Sequence, residues 1–155
     1  MRKKRNYERA IIPDVKYGST ELTKMINNIM YQGNKSTITK FLYKALEEGA
    51  IEVNMEPMMF FTRVLENTMI PFELRSRRVG GATYQVPRPL EGKRALGKTI
   101  KLLTSKMKEG KSTSLDEKIR DVLLDAFYKR GPIHHSLNTL INAAENNKVN
   151  SVYRW

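Results

Sequence analysis

The helical pattern of this chain breaks at one stretch, FELRSRRVGGATYQVP, which occupies residues 72–87. The 3.6-residue apolar spacing is lost there, and the pair Gly80-Gly81 stands near its centre. Paired glycines supply the positive φ angles that a tight hairpin turn requires. The stretch therefore predicts a two-stranded β-ribbon in which residues 72–79 pair with residues 82–87. Pro87 and Pro89 prevent the second strand from continuing as a central strand.

Amphipathic helical segments precede and follow this ribbon. Three segments before it and three after it place apolar residues at spacings of three and four, which is typical of helices with one buried face. The first apolar residues of these stripes are Leu22, Ile38, Met58, Leu96, Ile119 and Leu137. The fold class that follows is mainly α. We expect a single domain of six helices around one core, with a projecting two-stranded β-ribbon and a basic N-terminal arm.

Capping residues suggest where some of these helices begin and end. Gly33 is expected to close the first helix through a left-handed C-cap, and Ser36 to cap the second. Pro57 suits the first turn of the third helix. Ser114 followed by Glu117 predicts a capping box at the fifth. The division that we expect is an arm over residues 1–18 and a helical domain over 19–155, with the hairpin at about 72–88.

The charge of the chain indicates a polyanionic partner. Lys and Arg number 28 against 16 Asp and Glu, which gives a net charge of +12. The excess is segregated, because residues 74–155 carry seventeen basic and seven acidic side chains while residues 21–73 carry five and seven. Such segregation favours a contact face over an evenly solvated surface. Nucleic acid is the commonest partner of such a face, and an anionic membrane surface is the rival.

The sequence lacks the residues that several classes of protein function require. There is no Cys, which excludes disulfides, thiolate zinc sites and cysteine nucleophiles. No apolar run approaches the length of a membrane span, and no apolar segment follows the basic N-terminus, so neither a membrane partner nor a secretory signal is expected. His134 and His135 have no ligand partners at metal-binding spacing. No catalytic motif is present, so we expect no enzyme and no cofactor.

The ribbon and the residues that follow it carry the strongest binding signal. Between residues 75 and 94 only Glu91 opposes six basic residues, which are Arg75, Arg77, Arg78, Arg88, Lys93 and Arg94. Guanidinium groups crowded in this way repel each other unless phosphates neutralise them. Strand alternation places Arg75 and Arg77 on one face and Arg78 on the other. Tyr84 suits either stacking on a nucleobase or cross-strand packing.

The two ends of the chain are further candidates. Arg2, Lys3, Lys4 and Arg5 form a basic arm of the kind that threads along nucleic acid, although a solvated tail is an equal alternative. At the other end the sequence reads Tyr153-Arg154-Trp155, and Trp155 is the only tryptophan. An aromatic side chain at a terminus is expected to dock on RNA or on a partner protein, with Arg154 positioned for a phosphate.

The ribbon sequence RSRRVGGATYQVP, at residues 75–87, closely resembles the signature of ribosomal protein seven of the small subunit, bacterial and organellar type. Similar stretches lie outside it, at Pro13-Asp14, at Tyr17-Gly18-Ser19 and at residues 153–155, so the resemblance covers essentially the whole chain. It implies six helices and a β-ribbon. It also implies a structural protein of the ribosome, in a bacterial cytoplasm or in an organelle.

The same resemblance implies a more detailed role. The family binds the 3′ major domain of small-subunit ribosomal RNA as a primary binder and nucleates assembly of the subunit head. Its ribbon lies near the exit-site tRNA and the outgoing messenger RNA, and its neighbours are other small-subunit proteins. By position, the resemblance implies RNA contacts at Lys35, Arg75, Arg77, Arg78 and Arg94. The basic arm and Arg154 follow.

One departure from the family and two rival functions qualify this picture. Ile133-His134-His135 stands where relatives usually carry Lys-Lys-Arg, which removes positive charge and weakens the argument for an RNA contact there. An architectural binder of duplex DNA would share the charge and the ribbon, but no recognition-helix pattern is present. A nuclease would need acidic metal ligands grouped in a cleft, whereas the acids here lie mainly on helix faces.

Overall fold

A computed structural model describes residues 10–109 and 114–153. In these ranges the chain forms six α-helices, one antiparallel two-stranded ribbon and one 3₁₀ helix, so the mainly α fold with a ribbon is confirmed. The 3₁₀ helix was not predicted. The elements in order are α1 (Thr20–Ile29), α2 (Lys35–Val53), α3 (Pro57–Asn67), β1 (Phe72–Val79), β2 (Ala82–Pro89), α4 (Gly92–Glu109), α5 (Leu115–Phe127), α6 (Gly131–Asn146) and the 3₁₀ helix Lys148–Tyr153. None of the described helices is long and apolar enough to span a membrane.

The main core is formed by the buried faces of α1 to α5, to which α6 adds Ile133. The predicted apolar stripes supply most of it, but α3 also buries Phe60, whose ring lies 5.5 Å from that of Phe127. Gly49 of α2 makes room for this ring, because a Cβ atom at Gly49 would lie 3.0 Å from Phe60 Cε1. The close contact between α2 and α3 therefore depends on a residue without a side chain.

A second, smaller cluster holds the base of the ribbon. Its buried members are Ile70, Leu90, Ala95 and Leu137, which we call the anchor cluster. Ile70 precedes β1 and Leu90 follows β2, while Ala95 and Leu137 belong to α4 and α6. The sequence analysis did not predict this smaller cluster beside the main core. The ribbon lies between α3 and α4 in the chain. Ile70 and Leu90, at its two ends, are buried in the anchor cluster and not in the main core.

Hydrogen bonds complete the attachment of the ribbon. The backbone N–H of Leu90 donates to the carbonyl of Pro71 at 2.9 Å, which closes the base of the hairpin. The N–H of Ile70 donates to Thr99 Oγ1 of α4 at 3.2 Å, and Thr99 is fully buried. The ribbon is thus fixed to α4 at its root.

The ribbon has the turn that the sequence predicts. Gly80 and Gly81 have φ angles of +57° and +90°, and they connect Val79 to its register partner Ala82. β2 continues to Pro89, two residues beyond the predicted end. A sheet of two strands tolerates Pro87 and Pro89 because each strand has one edge that needs no backbone donor.

Two predicted helix caps were wrong. α1 ends at Ile29 with Met30 as its C-cap, and Gly33, with a φ of +82°, lies in the turn that follows. Gln32, with a φ of +50°, precedes it, so two successive left-handed residues redirect the chain into α2. α2 then begins at Lys35 with Asn34 at the N-cap, which leaves Ser36 inside the first turn.

The other caps agree more closely with the sequence. Pro57 is the first residue of α3, as predicted. Ser114 occupies the N-cap position of α5, but its side chain makes no capping hydrogen bond, so the reciprocal box with Glu117 does not form. At α1 an unpredicted N-cap, Ser19, accepts a hydrogen bond from the N–H of Leu22 at 3.3 Å.

Residues 14–17, in the described part of the expected arm, form a turn that contacts α2. The Asp14 carboxylate accepts hydrogen bonds from the backbone N–H groups of Lys16 and Tyr17, both at 3.2 Å. Its other oxygen accepts from the Tyr43 hydroxyl at 2.7 Å. Burial and this bond raise the pKa of Tyr43 to about 12. Lys16 also pairs with Glu47, so residues 14–17 are attached to the helical domain.

A second polar contact joins α2 to the start of α5. Lys44 Nζ lies 2.6 Å from Asp116 Oδ2, and Asp116 is the second residue of α5. A carboxylate in the first helical turn also interacts favourably with the helix dipole. The hydrogen bond from Lys44 lowers the pKa of Asp116 from 3.8 to about 2.

The anchor cluster can be tested on α6. Leu137 is 6% exposed and belongs to the cluster, whereas Leu140 of the same helix is 41% exposed. We expect Leu137→Ala to lower the free energy of unfolding by about 2–3 kcal/mol, because it leaves a cavity. Leu140→Ala should change it by no more than about 0.5 kcal/mol. Urea unfolding measures both values, and equal losses would contradict the anchor cluster.

The Lys44–Asp116 pair predicts a dependence of stability on pH. Because the folded pKa of Asp116 lies below 3.8, the pair stabilises the protein above this pH and loses its effect as the pH falls towards about 2. Asp116→Asn should therefore be less stable than the parent at neutral pH. This difference in stability should become smaller as the pH falls from 3.8 towards about 2. Thermal unfolding at a series of pH values measures it. Glu117→Gln, which removes an exposed acid from the same helical turn, is the control. If the difference in stability between Asp116→Asn and the parent stayed constant with pH, the Lys44–Asp116 pair would not cause the pH dependence.

Candidate nucleic-acid interface

The strand register distributes the ribbon arginines over both faces, as the sequence predicts. Arg75 pairs with Val86 and Arg77 with Tyr84, while Arg78 pairs with Thr83. Opposed residues of an antiparallel ladder point to the same face, and successive residues point to opposite faces. Arg75 and Arg77 therefore share a face with Tyr84, and Arg78, which is exposed, points to the other.

A single carboxylate collects three basic side chains at the root of the ribbon. Glu73 of β1 lies 3.5 Å from Arg75 Nε and 2.9 Å from Arg94 Nη2, both measured to Oε2. Its Oε1 lies 3.0 Å from Lys98 Nζ. The hydrogen bond from Lys98 is the main cause that lowers the pKa of the Glu73 carboxyl. We call these four residues the Glu73 cluster, and it joins β1 to the first two turns of α4.

The remaining predicted basic residues lie around and beyond this cluster. Arg88 is exposed and pairs in register with Glu73, so it adds a further cation to the same face of the ribbon. Lys93 is exposed in the first turn of α4. Lys35 is exposed at the first position of α2, a helix that packs against α1, α3 and α5 rather than against the ribbon. The fold therefore gathers all six ribbon-region cations around β1, β2 and the start of α4, and leaves Lys35 on a separate element.

Tyr84 has a partner that the sequence did not reveal. Its ring centroid lies 4.9 Å from that of Tyr153, with an angle of 32° between the ring planes. The 3₁₀ helix packs along β2, and Asn150 Nδ2 donates to the backbone carbonyl of Gln85 at 3.1 Å. Tyr84 thus packs on a residue far away in the sequence as well as across the ribbon. It attaches the C-terminal segment to the ribbon.

Some predicted site residues lie outside the described residues. These are the arm residues Arg2, Lys3, Lys4 and Arg5, together with Arg154 and Trp155 at the other end. Their roles remain predictions. Tyr153, the last residue that the structure describes, contacts Tyr84 of the ribbon.

Two members of the Glu73 cluster were missed at the level of sequence. Lys98 follows Arg94 by four residues, a spacing that puts both side chains on one face of α4, and this signal was available. Glu73 gave no such signal. Along the chain it is one acid among seven in residues 21–73, and only the tertiary structure brings it to Arg94 and Lys98 of α4.

Within residues 10–109 and 114–153 no group of three or more His, Cys, Asp or Glu side chains could hold a metal ion. His134 and His135 lie in the first turn of α6, where His134 is half-buried and His135 exposed. The candidate site consists of the basic side chains of the ribbon and of α4, together with the contact between Tyr84 and Tyr153. A compact helical domain that presents a basic ribbon has the architecture of a structural nucleic-acid-binding protein.

Comparison with known proteins specifies the class. The family described as Ribosomal protein S7p/S5e matches residues 1–148. The small ribosomal subunit protein uS7 of Pelagibacter ubique is 36% identical over 154 residues, which is 99% of both chains. The protein of the same name from Rhodobacter capsulatus is 38% identical over 148 residues, covering 96% of this chain and 95% of its own. That of Parvibaculum lavamentivorans is 36% identical over 99% of both chains.

The chain belongs to the ribosomal protein S7 family. The resemblance in the sequence is thereby confirmed. Members of the family are structural components of the small ribosomal subunit and not enzymes, and the expected absence of catalysis agrees with this. Membership of this family implies that the protein is part of the ribosome and that its partners are small-subunit ribosomal RNA and other ribosomal proteins.

The contact between Tyr84 and Tyr153 can be tested by hydrogen exchange. Tyr153→Ala removes the ring, and aromatic pairs of this kind contribute about 0.5–1.5 kcal/mol. Amides of β2 should therefore exchange faster by between about two- and tenfold, while those of α2 should not change. Tyr153→Phe keeps the ring and is the control. If β2 exchanged at the parent rate in Tyr153→Ala, the 3₁₀ helix would not support the ribbon.

Proposed function

We propose that this protein is a primary binder of small-subunit ribosomal RNA, that it binds the 3′ major domain and that it nucleates assembly of the subunit head. In the assembled subunit its ribbon lies near the exit-site tRNA and the path of the messenger RNA. The observation that carries the proposal is the concentration of cations on a ribbon whose root is fixed to α4 and α6. A rigid base lets the ribbon present its arginines in one geometry.

The chemistry of the ribbon fits RNA phosphates. Isolated two-stranded ribbons are marginally stable, and crowded arginines reduce that stability further unless anions neutralise them. Arginine forks bind phosphate oxygens with two hydrogen bonds, and strand alternation offers such forks on two faces. RNA could therefore contact the ribbon from either face.

The contact residues that we propose follow from this arrangement. The ribbon and the start of α4 supply the first set, and Lys35 supplies a contact at the start of α2. The arm at residues 1–18 extends the contact beyond the domain formed by residues 19–155, and the C-terminal pair adds a stacking contact. The residues are Arg2, Lys3, Lys4, Arg5, Lys35, Arg75, Arg77, Arg78, Tyr84, Arg88, Lys93, Arg94, Arg154 and Trp155.

Chemical footprinting tests the proposed RNA target. Purified protein is bound to full-length small-subunit ribosomal RNA in the presence of excess duplex DNA as competitor. We expect protection confined to the 3′ major domain and resistant to the DNA. Diffuse protection that the DNA abolishes would indicate general binding to polyanions, and the proposed function would then be withdrawn.

The ribbon contacts are tested by Arg77→Ala combined with Arg78→Ala. Loss of charge-assisted contacts should weaken binding to 3′ major domain RNA by at least about tenfold. The slope of log affinity against log salt concentration should fall by about one unit for each lost phosphate contact. Helicity and the thermal midpoint should stay close to the parent values, because neither residue belongs to the core.

The matched control removes the same amount of charge elsewhere. Lys24→Ala combined with Lys40→Ala takes two cations from α1 and α2. If the control weakened binding as much as the ribbon variant did, net charge rather than the ribbon would explain the affinity. Unchanged affinity in a folded ribbon variant would exclude the ribbon as the contact.

A further inference from the structure

We propose that Arg75, Arg94 and Lys98 form a single built site for an RNA phosphate and that Glu73, although an anion, is the positioning residue that holds this site together. The inference rests on the proposed function. It adds Lys98 to the RNA interface. It also gives Glu73 a role in RNA binding, although a negative charge by itself would repel the phosphates.

Exposure shows which way the charges of the Glu73 cluster face. The Glu73 side chain is only 17% exposed, whereas those of Arg75, Arg94 and Lys98 are 37%, 48% and 47% exposed. The carboxylate therefore lies beneath the cations, and the surface that a ligand meets is positive. Three cations around one anion leave an excess of two positive charges, which suits a phosphate group.

The geometry explains why the cations need the carboxylate. Arg75 and Arg94 both contact the same oxygen, Glu73 Oε2, so their guanidinium groups lie close together. Without an anion between them, like charges at this separation repel and long flexible side chains disperse into solvent. Glu73 fixes them before RNA arrives, so that less side-chain freedom is lost on binding.

The chain positions hold the site rigidly. Glu73 and Arg75 are alternate residues of β1 and share one face, while Arg94 and Lys98 are one turn apart on α4. Thr99, next to Lys98, holds the root of the ribbon through its hydrogen bond with the Ile70 N–H. The strand β1 and the helix α4 thus both contribute cations to the Glu73 carboxylate. The hydrogen bond from Lys98 lowers the pKa of the Glu73 carboxyl and so favours its charged form.

The proposal predicts an effect opposite to that of simple electrostatics. Glu73→Gln and Glu91→Gln each raise the net charge by one, and both change residues in the ribbon region. Glu91 is exposed and lies just before α4, outside the cluster. We expect Glu91→Gln to bind structured RNA as tightly as the parent or more tightly. Glu73→Gln should bind roughly tenfold more weakly, the equivalent of one charge-assisted contact, with a salt slope smaller by about one unit.

The experiment is filter binding of the full chain to labelled 3′ major domain RNA over a series of salt concentrations, with duplex DNA as the non-specific probe. For Glu73→Gln, affinity for the DNA should stay the same or rise while affinity for the RNA falls. A purely structural defect would lower both. Binding of RNA by Glu73→Gln as tightly as by Glu91→Gln would overturn the proposal.

Lys98→Ala keeps the test decisive should Glu73→Gln fail to fold. It should weaken RNA binding and reduce the salt slope by about one unit, with the circular dichroism spectrum unchanged. Unchanged affinity and slope in this variant would overturn the phosphate site. In Glu73→Gln combined with Lys98→Ala the losses should be less than additive, because both act on one site. Fully additive losses would contradict a single site.

The outcome can be separated from that of the proposed function. The phosphate site is judged on the difference between Glu73→Gln and Glu91→Gln and on the salt slopes, which any structured RNA can report. The proposed function is judged on the preference of the parent protein for the 3′ major domain. A parent without that preference would refute the function, whereas a parent with it and a Glu73→Gln variant without any defect would refute only the phosphate site.

Discussion

The attachment of the ribbon root is the constraint on which the functional part of this structure depends. A two-stranded ribbon is at best marginally stable in water, and this one carries arginines that repel each other. Ile70 and Leu90 bury its two ends against α4 and α6, and the buried Thr99 accepts a hydrogen bond at the same point. Without this attachment the arginines would sample many positions, and each would lose more freedom on binding RNA.

Charge and packing cooperate at that root. Glu73 joins β1 to α4 through Arg94 and Lys98, so the ion pairs that orient the cations also fix the ribbon. Half-exposed ion pairs contribute little to stability by themselves. Their value here lies in geometry, since they hold like charges together at a surface where a phosphate can meet them. On the other strand, Tyr153 packs on Tyr84 and brings the C-terminal segment beside the same ribbon.

Much of this arrangement was predictable from local signals. The Gly80-Gly81 pair fixed the turn, the loss of helical spacing located the strands, and the apolar stripes located six helices. Helix ends were less accurate, because the path of the turn between α1 and α2 depends on how these helices pack, and it puts Gly33 beyond the end of α1 and Ser36 inside α2. The cluster of arginines was visible in the sequence, as was the family that the comparisons confirm.

The sequence by itself determined the class of fold, the strand register and the excess of positive charge near the ribbon, because these follow from the spacing and composition of adjacent residues. Only the tertiary structure decided that Glu73 meets Lys98, that Tyr84 meets Tyr153 and that a separate anchor cluster holds the ribbon root. Those pairs are separated by 25 and 69 positions along the chain. Periodicity and propensity act over a few residues, so contacts at such separations are set by packing alone.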